Sequence, residues 1–356
     1  MNSDDTFNIY WYLTYKCNLQ CRHCWISSSP DITTEKELSL NHIKNILNQI
    51  QEITPNSHVI FSGGEPLLRK DFLNIIYETN KRDIRLSIES NGLLINNDLI
   101  NEINHINNKI NFGISLDGGI AEHHDNIRGK GTFFKTIDKI MILKKYNTPF
   151  SIQCVINKEN KDSISNLIDL CKELKPNYLT FAFLHPLGRA LDNLDDLNLE
   201  REDFLLALDS ILEYDVHQTD LKINIKTPPA LIPPKYIFKF KTNSNIKLIT
   251  NCDFPKIGIT PNGNVTLCSL TKDKLFYGNL KEESLENIIE KNNFKKIRSD
   301  YYAANLNGIC KECVFRQKCK GSCRSMAYYC FDSLNESHPF CMTLEENGDF
   351  PSIYKK

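Results

Sequence analysis

Apolar residues in the first half of the chain follow two alternating rhythms. Short runs at 7–15, 58–62, 84–89, 110–116, 150–157 and 178–184 are rich in β-branched and aromatic residues, which suit the pleated surface of a strand. Between them apolar positions recur every three or four residues, as in Phe72, Ile75, Ile76 and Thr79, or Ile164, Leu167, Ile168, Cys171 and Leu174. That is the spacing of a helix laying one stripe on a sheet. Six strand-then-helix units predict a parallel sheet with right-handed crossovers. A closed barrel needs two more, so the α/β fold expected is a partial (β/α)6 TIM barrel with its chemistry at the C-terminal strand ends. Residues 201–214 read as one further helix. Over 215–250 the alternation stops, and Pro228, Pro229, Pro233 and Pro234 argue against regular structure. The expected division is a barrel at 1–214, a bridge at 215–250 and a cysteine-rich domain at 251–356, too loop-rich to stand on apolar burial alone.

Composition narrows the partners. Lys+Arg 43 against Asp+Glu 44 leaves a net charge of −1, with no basic excess for nucleic acid or an anionic membrane. The short acidic start is no signal peptide, and no apolar run reaches the ~20 residues of a membrane span. The expected location is the cytoplasm, where thiols stay reduced. The thirteen cysteines therefore call for a metal rather than disulfides.

The first strand runs into Cys17-Asn18-Leu19-Gln20-Cys21-Arg22-His23-Cys24. Three thiolates on one tight loop suit three irons of a cubane and leave the fourth iron open for chemistry. Zinc is the alternative, although its structural sites supply four ligands. Gly63-Gly64-Glu65-Pro66 follows the second strand and Ser90-Asn91-Gly92 the third. The fourth ends in Ser115-Leu116-Asp117-Gly118, with His124-Asp125-Asn126-Ile127-Arg128 beyond it, and the sixth leads into Leu184-His185-Pro186-Leu187-Gly188-Arg189. In this order the motifs resemble the radical S-adenosylmethionine (SAM) superfamily. The resemblance implies a 4Fe–4S cluster on Cys17, Cys21 and Cys24. It also implies SAM held by the GGEP backbone (Gly63, Gly64, Glu65) and by Ser90 and Asn91. Ser115, Asp117 and Arg128 would lie near its carboxylate or ribose, with His23 and Leu184 at the adenine.

A second set comprises Cys252, Cys268, Cys310, Cys313, Cys319, Cys323 and Cys341. With Tyr277-Gly278-Asn279-Leu280 between them it resembles the SPASM domain, an iron–sulfur extension of radical SAM enzymes that modify peptides and proteins. By that resemblance Cys310, Cys313, Cys319 and Cys341 encircle one auxiliary 4Fe–4S cluster, and Cys252, Cys268 and Cys323 hold another. Zinc again stands as the alternative. Cys154 and Cys171 read as core packing. Cys330 is either spare or the missing fourth ligand of the three-cysteine cluster, whose iron is otherwise open to a substrate thiolate.

The family resemblance implies reductive cleavage of SAM to a 5′-deoxyadenosyl radical that removes a substrate hydrogen atom. The expected role is maturation of a ribosomally made peptide by a thioether or other side-chain crosslink. An electron donor such as flavodoxin or ferredoxin would serve it, and recognition of a leader would need a separate leader-binding protein or a groove between the barrel and the SPASM domain, because only about six residues precede the first strand. The alternatives are an anaerobic sulfatase maturase and a small-molecule oxidoreductase such as a haem-pathway decarboxylase. Sulfatase maturases place Asp after the cysteine matching Cys268, where this chain has Ser269, although Asp273 is nearby. They also carry an upstream cysteine, and none lies between Cys171 and Cys252.

Overall fold

The computed structural model describes residues 8–34, 36–213, 220–242, 245–250, 256–268 and 275–356. Cys252, Ser269 and Asp273 lie outside them. Each expected strand is present: β1 (Asn8–Thr14), β2 (His58–Gly63), β3 (Arg85–Ser90), β4 (Asn111–Ser115), β5 (Phe150–Ile156) and β6 (Leu179–Phe183). They pair in parallel, each with the next in sequence. Alternate positions such as Trp11, Phe61, Ile88, Ile114, Ile152 and Phe181 are fully buried beneath the helices. Helix Leu40–Ile53 shows the local logic: Ser39 caps it by accepting from the His42 N–H, and Ile43, Ile46, Leu47 and Ile50 form its buried stripe.

Two expectations need correction. The stretch 215–250 contains regular structure: β7 (Ile223–Lys226) and β8 (Ile246–Ile249) extend the parallel sheet beyond β6. The prolines that argued against this sit at element starts. Pro229 opens a 3₁₀ turn and Pro234 begins the helix Pro234–Thr242, positions whose N–H has no intrahelical partner to lose. The sheet also grows at the other edge, where β9 (Lys256–Ile259) runs parallel to β1 and an antiparallel pair, β10 (Asn264–Thr266) and β11 (Phe276–Asn279), follows. Among the described residues this makes one eleven-stranded open sheet, ordered β11-β10-β9-β1-β2-β3-β4-β5-β6-β7-β8. The cysteine-rich half thus shares the sheet of the barrel half. No helix among the described residues is long and apolar enough to cross a membrane.

Candidate active site

The loop after β1 carries Cys17, Cys21 and Cys24, and the structure brings the three sulfurs together at the C-terminal edge of the sheet. Cys17 and Cys21 are buried and Cys24 is half-buried. Each sulfur faces a donor. The Leu19 and Ser28 N–H groups approach Cys17 and Cys24, each at 3.4 Å; Asn91 Nδ2 lies 3.7 Å from Cys17 and Arg128 Nη1 3.9 Å from Cys21. Such donors favour the anionic sulfur that binds iron. Burial opposes them, pushing Cys17 up to about 12 and also raising Cys21, against Arg128. Three thiols on one loop, each with a donor aimed at it, suit the spread ligands of an iron–sulfur cluster rather than a single metal ion.

Connections after the neighbouring strands fix this loop. Gly64 and Glu65 donate their N–H groups to Thr14 O and Lys16 O at 2.8 and 2.9 Å. A Cβ on Gly64 would sit 2.1 Å from Lys16 O. The close approach that this glycine permits is therefore to the cysteine loop itself. Glu65 is fully buried, and its carboxylate accepts from Leu67 N, Ser90 Oγ and Asn91 N at 3.1, 2.9 and 2.9 Å. Burial pushes its carboxyl up to about 7, opposed mainly by those donors. Asn91, thus placed, also donates to Asn18 Oδ1 at 2.8 Å. Ser115 is half-buried at the end of β4, and Leu184 is buried against Ala190 and Leu197.

Asp117 and Arg128 form the electrostatic centre. Asp117 is fully buried; it accepts from Arg128 Nε at 2.6 Å and Val155 N at 2.8 Å, and lies 2.9 Å from His23 Nε2. Burial alone would raise its carboxyl, but Arg128 and His23 override it and leave Asp117 well below the usual carboxylate range. Arg128 is raised above its ordinary value, Asp117 and Cys21 overcoming burial. Pairing through Nε leaves both Nη groups free to face the cysteine loop. His23 Nδ1 is buried and has no partner among the described residues. An orphaned buried ring nitrogen beside the cysteines is what a polar ligand group would satisfy, and in this respect the site fits SAM.

Three features lay beyond the sequence reading. Arg189, part of a quoted motif but given no role, donates through Nη1 and Nη2 to Cys21 O and Ser28 O at 2.8 and 2.6 Å, and through its N–H to Cys24 O at 2.9 Å. On the concave face of the sheet, Glu89 accepts from Ser62 Oγ at 3.0 Å and Gln153 Nε2 at 3.4 Å. Gln153 reaches it across Gly113, where a Cβ would stand 2.8 Å from Nε2. Where barrel and C-terminal half meet, His185 acts electrostatically on His338, and each has a buried Nδ1 without a partner among the described residues. Period-two alternation was the available signal for Glu89 and Gln153; nothing local marks the histidine pair.

The second cysteine set separates into two groups. Cys310, Cys313, Cys319 and Cys341 are all buried and line one cavity with Pro228, Pro229, Phe315 and Phe350. Cys310 is lowered to about 6, chiefly by the Cys341 thiol and aided by the His338 N–H, whereas burial pushes Cys319 up to about 12. No three described His, Cys, Asp or Glu side chains converge on a single metal ion. Four thiols around a cavity are the donor set of a cluster. Cys268 lies 2.8 Å from Ser325 Oγ, just past Cys323. Cys330 is exposed, seven residues along the helix Arg324–Phe331 from Cys323, or ~10 Å away along the axis. Cys154 and Cys171 are buried in the main core.

A family model described as the Radical SAM superfamily matches residues 11–171, and one described as SPASM, an iron-sulfur cluster-binding domain, matches 252–314. The chain is 28% identical over 355 residues to an AdoMet-dependent heme synthase of Methanosarcina barkeri, covering 94% of this chain and 95% of that protein. It is 27% identical over 361 residues to the mycofactocin maturase MftC of Mycolicibacterium smegmatis, covering 97% and 84%. A solved structure described as native anSMEcpe with bound AdoMet has a TM-score of 0.74 at 20% identity, covering 97% of each chain.

Proposed function

We propose that this chain, which belongs to the radical SAM superfamily and carries a SPASM iron–sulfur domain, matures a ribosomally made peptide by a side-chain crosslink such as a thioether. Cys17, Cys21 and Cys24 would hold the catalytic cluster. Gly63, Gly64, Glu65, Ser90, Asn91, Ser115, Arg128 and His23 would bind and orient SAM, with Asp117 acting through Arg128 and His23. Leu184 would support the adenine side through its packing with Ala190 and Leu197. Bound together, cluster and SAM supply a carbon radical able to remove a substrate hydrogen atom.

The observation that carries the reading is the concave face. Ser62, Glu89 and Gln153 form a hydrogen-bonded row across β2 to β5, and Asn224 Nδ2 continues the polar lining with a 3.4 Å bond to Thr180 Oγ1. A barrel interior is normally filled by branched apolar side chains. A lining of amides, hydroxyls and a hydrogen-bonded carboxylate instead suits a peptide, whose own N–H and C=O groups need partners. The likeness to MftC over most of both chains points the same way.

With Cys330 exposed, Cys252, Cys268 and Cys323 supply the second auxiliary site with three protein ligands, leaving one position for a peptide thiolate. An external flavodoxin or ferredoxin would supply electrons, a separate protein would grip the leader, and the reaction would take place in the cytoplasm. The test is anaerobic turnover with SAM, a reductant and a cysteine-containing peptide encoded beside the gene. The product should be lighter by two hydrogens, resist thiol alkylation and perturb an auxiliary-cluster EPR signal. A cysteine that stays fully alkylatable would exclude the thioether.

A second reading has its own support. The near full-length likeness to the heme synthase favours decarboxylation of an iron porphyrin. With an iron porphyrin added to the same assay, that reading requires loss of carbon dioxide from the porphyrin and no change in the peptide.

A further inference from the structure

The helix Thr132–Lys145 begins just beyond Arg128 and carries apolar side chains on its outer side. Phe134 is 66% exposed, and Met141 farther along the same helix is 49% exposed. Single exposed apolar residues are ordinary; what sets Phe134 apart is what stands behind it. Its ring packs edge-on against Phe133 at 5.3 Å between centroids, and Phe133 packs edge-on against His124 at 5.8 Å. Both Phe133 and His124 are buried. His124 Nδ1 accepts the Asp117 N–H at 3.2 Å, Asp117 Oδ2 meets Arg128 Nε at 2.6 Å, and Arg128 Nη1 lies 3.9 Å from Cys21 Sγ. A continuous file of packed groups thus runs from the cysteine loop to a ring standing in solvent.

Cationic groups border that ring. Lys130 and Lys135 are exposed on either side of Phe134 along the chain, and no carboxylate pairs with either among the described residues. The turn Gly129-Lys130-Gly131 is fixed by the Asp125 carboxylate, which accepts from Gly131 N at 2.6 Å, Phe133 N at 2.8 Å and Thr132 Oγ1 at 3.2 Å. Gly129 and Gly131 have φ of 116° and 75°, values that a side chain would resist. Lys130 is therefore displayed on a fixed turn, with Asp125 committed to the start of the helix. Glu122 and Asp138 are the exposed carboxylates nearest in sequence. On a chain of net charge −1 the two free lysines beside an exposed ring are a local feature.

We propose that Phe134, Lys130 and Lys135 form the docking face for the electron donor, a small acidic protein carrying a low-potential flavin. The inference rests on the reading that an external donor reduces the cluster held by Cys17, Cys21 and Cys24. Charge selects this occupant: a basic rim steers an acidic partner and can raise association ~10–1000-fold, in a salt-dependent way. Phe134 is the apolar anchor inside that rim. A peptide substrate has no use for this face, because the helix lies on the outer side of the sheet, away from the concave lining. In the docked pair an anionic flavin hydroquinone gives up one electron and is left as the neutral semiquinone, with no proton moved, and the cluster is reduced by that electron. Electron transfer weakens steeply with distance and prefers packed groups to solvent, so entry belongs at the outer end of the packed file.

The experiment measures binding and reduction separately on the full reconstituted chain. Binding of oxidised flavodoxin is followed by biolayer interferometry at low and high salt, and SAM cleavage is driven either by photoreduced flavodoxin or by dithionite. The double variant Lys130→Glu/Lys135→Glu should weaken flavodoxin binding ~tenfold or more at low salt and flatten its salt dependence. Phe134→Ser should weaken binding at both salt levels. Both should slow 5′-deoxyadenosine formation with flavodoxin and leave the rate with dithionite unchanged. Flavodoxin binding equal to the parent's in both variants, or an equal loss of rate with dithionite, overturns the docking face. If the parent cleaves SAM with dithionite but does not bind flavodoxin, the donor reading fails and the face falls with it. Self-association lost in the variants by light scattering, with flavodoxin binding intact, would assign the face to a second copy of this chain instead.

Discussion

Asp117→Asn is the sharpest perturbation the site offers, because it changes one atom at the centre of a buried charge cluster. Asn keeps Oδ1, which accepts the Val155 N–H at 2.8 Å, so the backbone link between the ends of β4 and β5 survives. The other oxygen becomes an NH₂ group facing Arg128 Nε, which Asp117 Oδ2 meets at 2.6 Å, and His23 Nε2 at 2.9 Å. His23 can adapt, because either ring nitrogen can carry a proton and Nδ1 has no partner to lose. Arg128 cannot, because its guanidinium has only donors. The penalty therefore falls on Arg128, as a buried cation stripped of its main anion, and amounts to ~3–5 kcal/mol. For a chain of this size that corresponds to a fall of about 4–7 °C in Tm.

Thermal unfolding followed by circular dichroism measures this directly, and a double variant isolates the cause. Arg128→Met in the Asp117→Asn background removes the stranded cation, so Asp117→Asn/Arg128→Met should be more stable than Asp117→Asn alone. SAM affinity should stay low in both, since neither holds the Arg128 fork beside Cys21. A Tm within 2 °C or so of the parent for Asp117→Asn, or a double variant less stable than the single, would refute the claim that Asp117 anchors Arg128 by charge.

Four further outcomes follow from the same geometry. Replacing Cys17, Cys21 and Cys24 together by Ala should abolish reductive SAM cleavage, measured as 5′-deoxyadenosine, while the iron of the C-terminal sites remains. Arg128→Ala removes a charge-assisted bond worth ~1.5–3 kcal/mol and should weaken SAM binding about tenfold or more in a titration. Arg189→Ala deletes both guanidinium bonds to the cysteine loop and should speed loss of the catalytic cluster to a chelator without affecting the auxiliary sites. Glu89→Gln should preserve SAM cleavage without substrate but reduce peptide modification, seen as more 5′-deoxyadenosine per product formed.

The strands β1 to β6 were legible because each is a short apolar run between helical periodicities, and their boundaries agree to within a residue or two. β7 and β8 were not, since each spans only four residues and the prolines near them argued for irregular chain. What proline forbids is the interior of an element, and here it stands at the starts. The joining of β9 to β1 is a long-range pairing that no local pattern announces. In the site, the cysteines could be read from spacing. The partners of Asp117 could not: Val155 lies 38 residues away along the chain, and only the parallel register of β4 and β5 brings it near.

That register explains why the motifs occur where they do. The cysteine loop is closed by its own bonds, such as Cys17 N–H to Ser29 O at 3.1 Å, and is also hung from the connections after the next five strands. Gly64 and Glu65 after β2 hold Lys16 and Thr14, and Asn91 after β3 holds Asn18. Beyond β4, Ile127 O accepts the Arg22 N–H at 2.9 Å. Glu159 after β5 pairs with Arg22 at 3.1 Å, and Arg189 after β6 grips Cys21 and Ser28. A loop braced by five neighbours cannot open without disturbing the sheet edge. The order of motifs along the sequence is thus the order of strands around one loop, and several motif residues act first on that loop and only through it on a ligand.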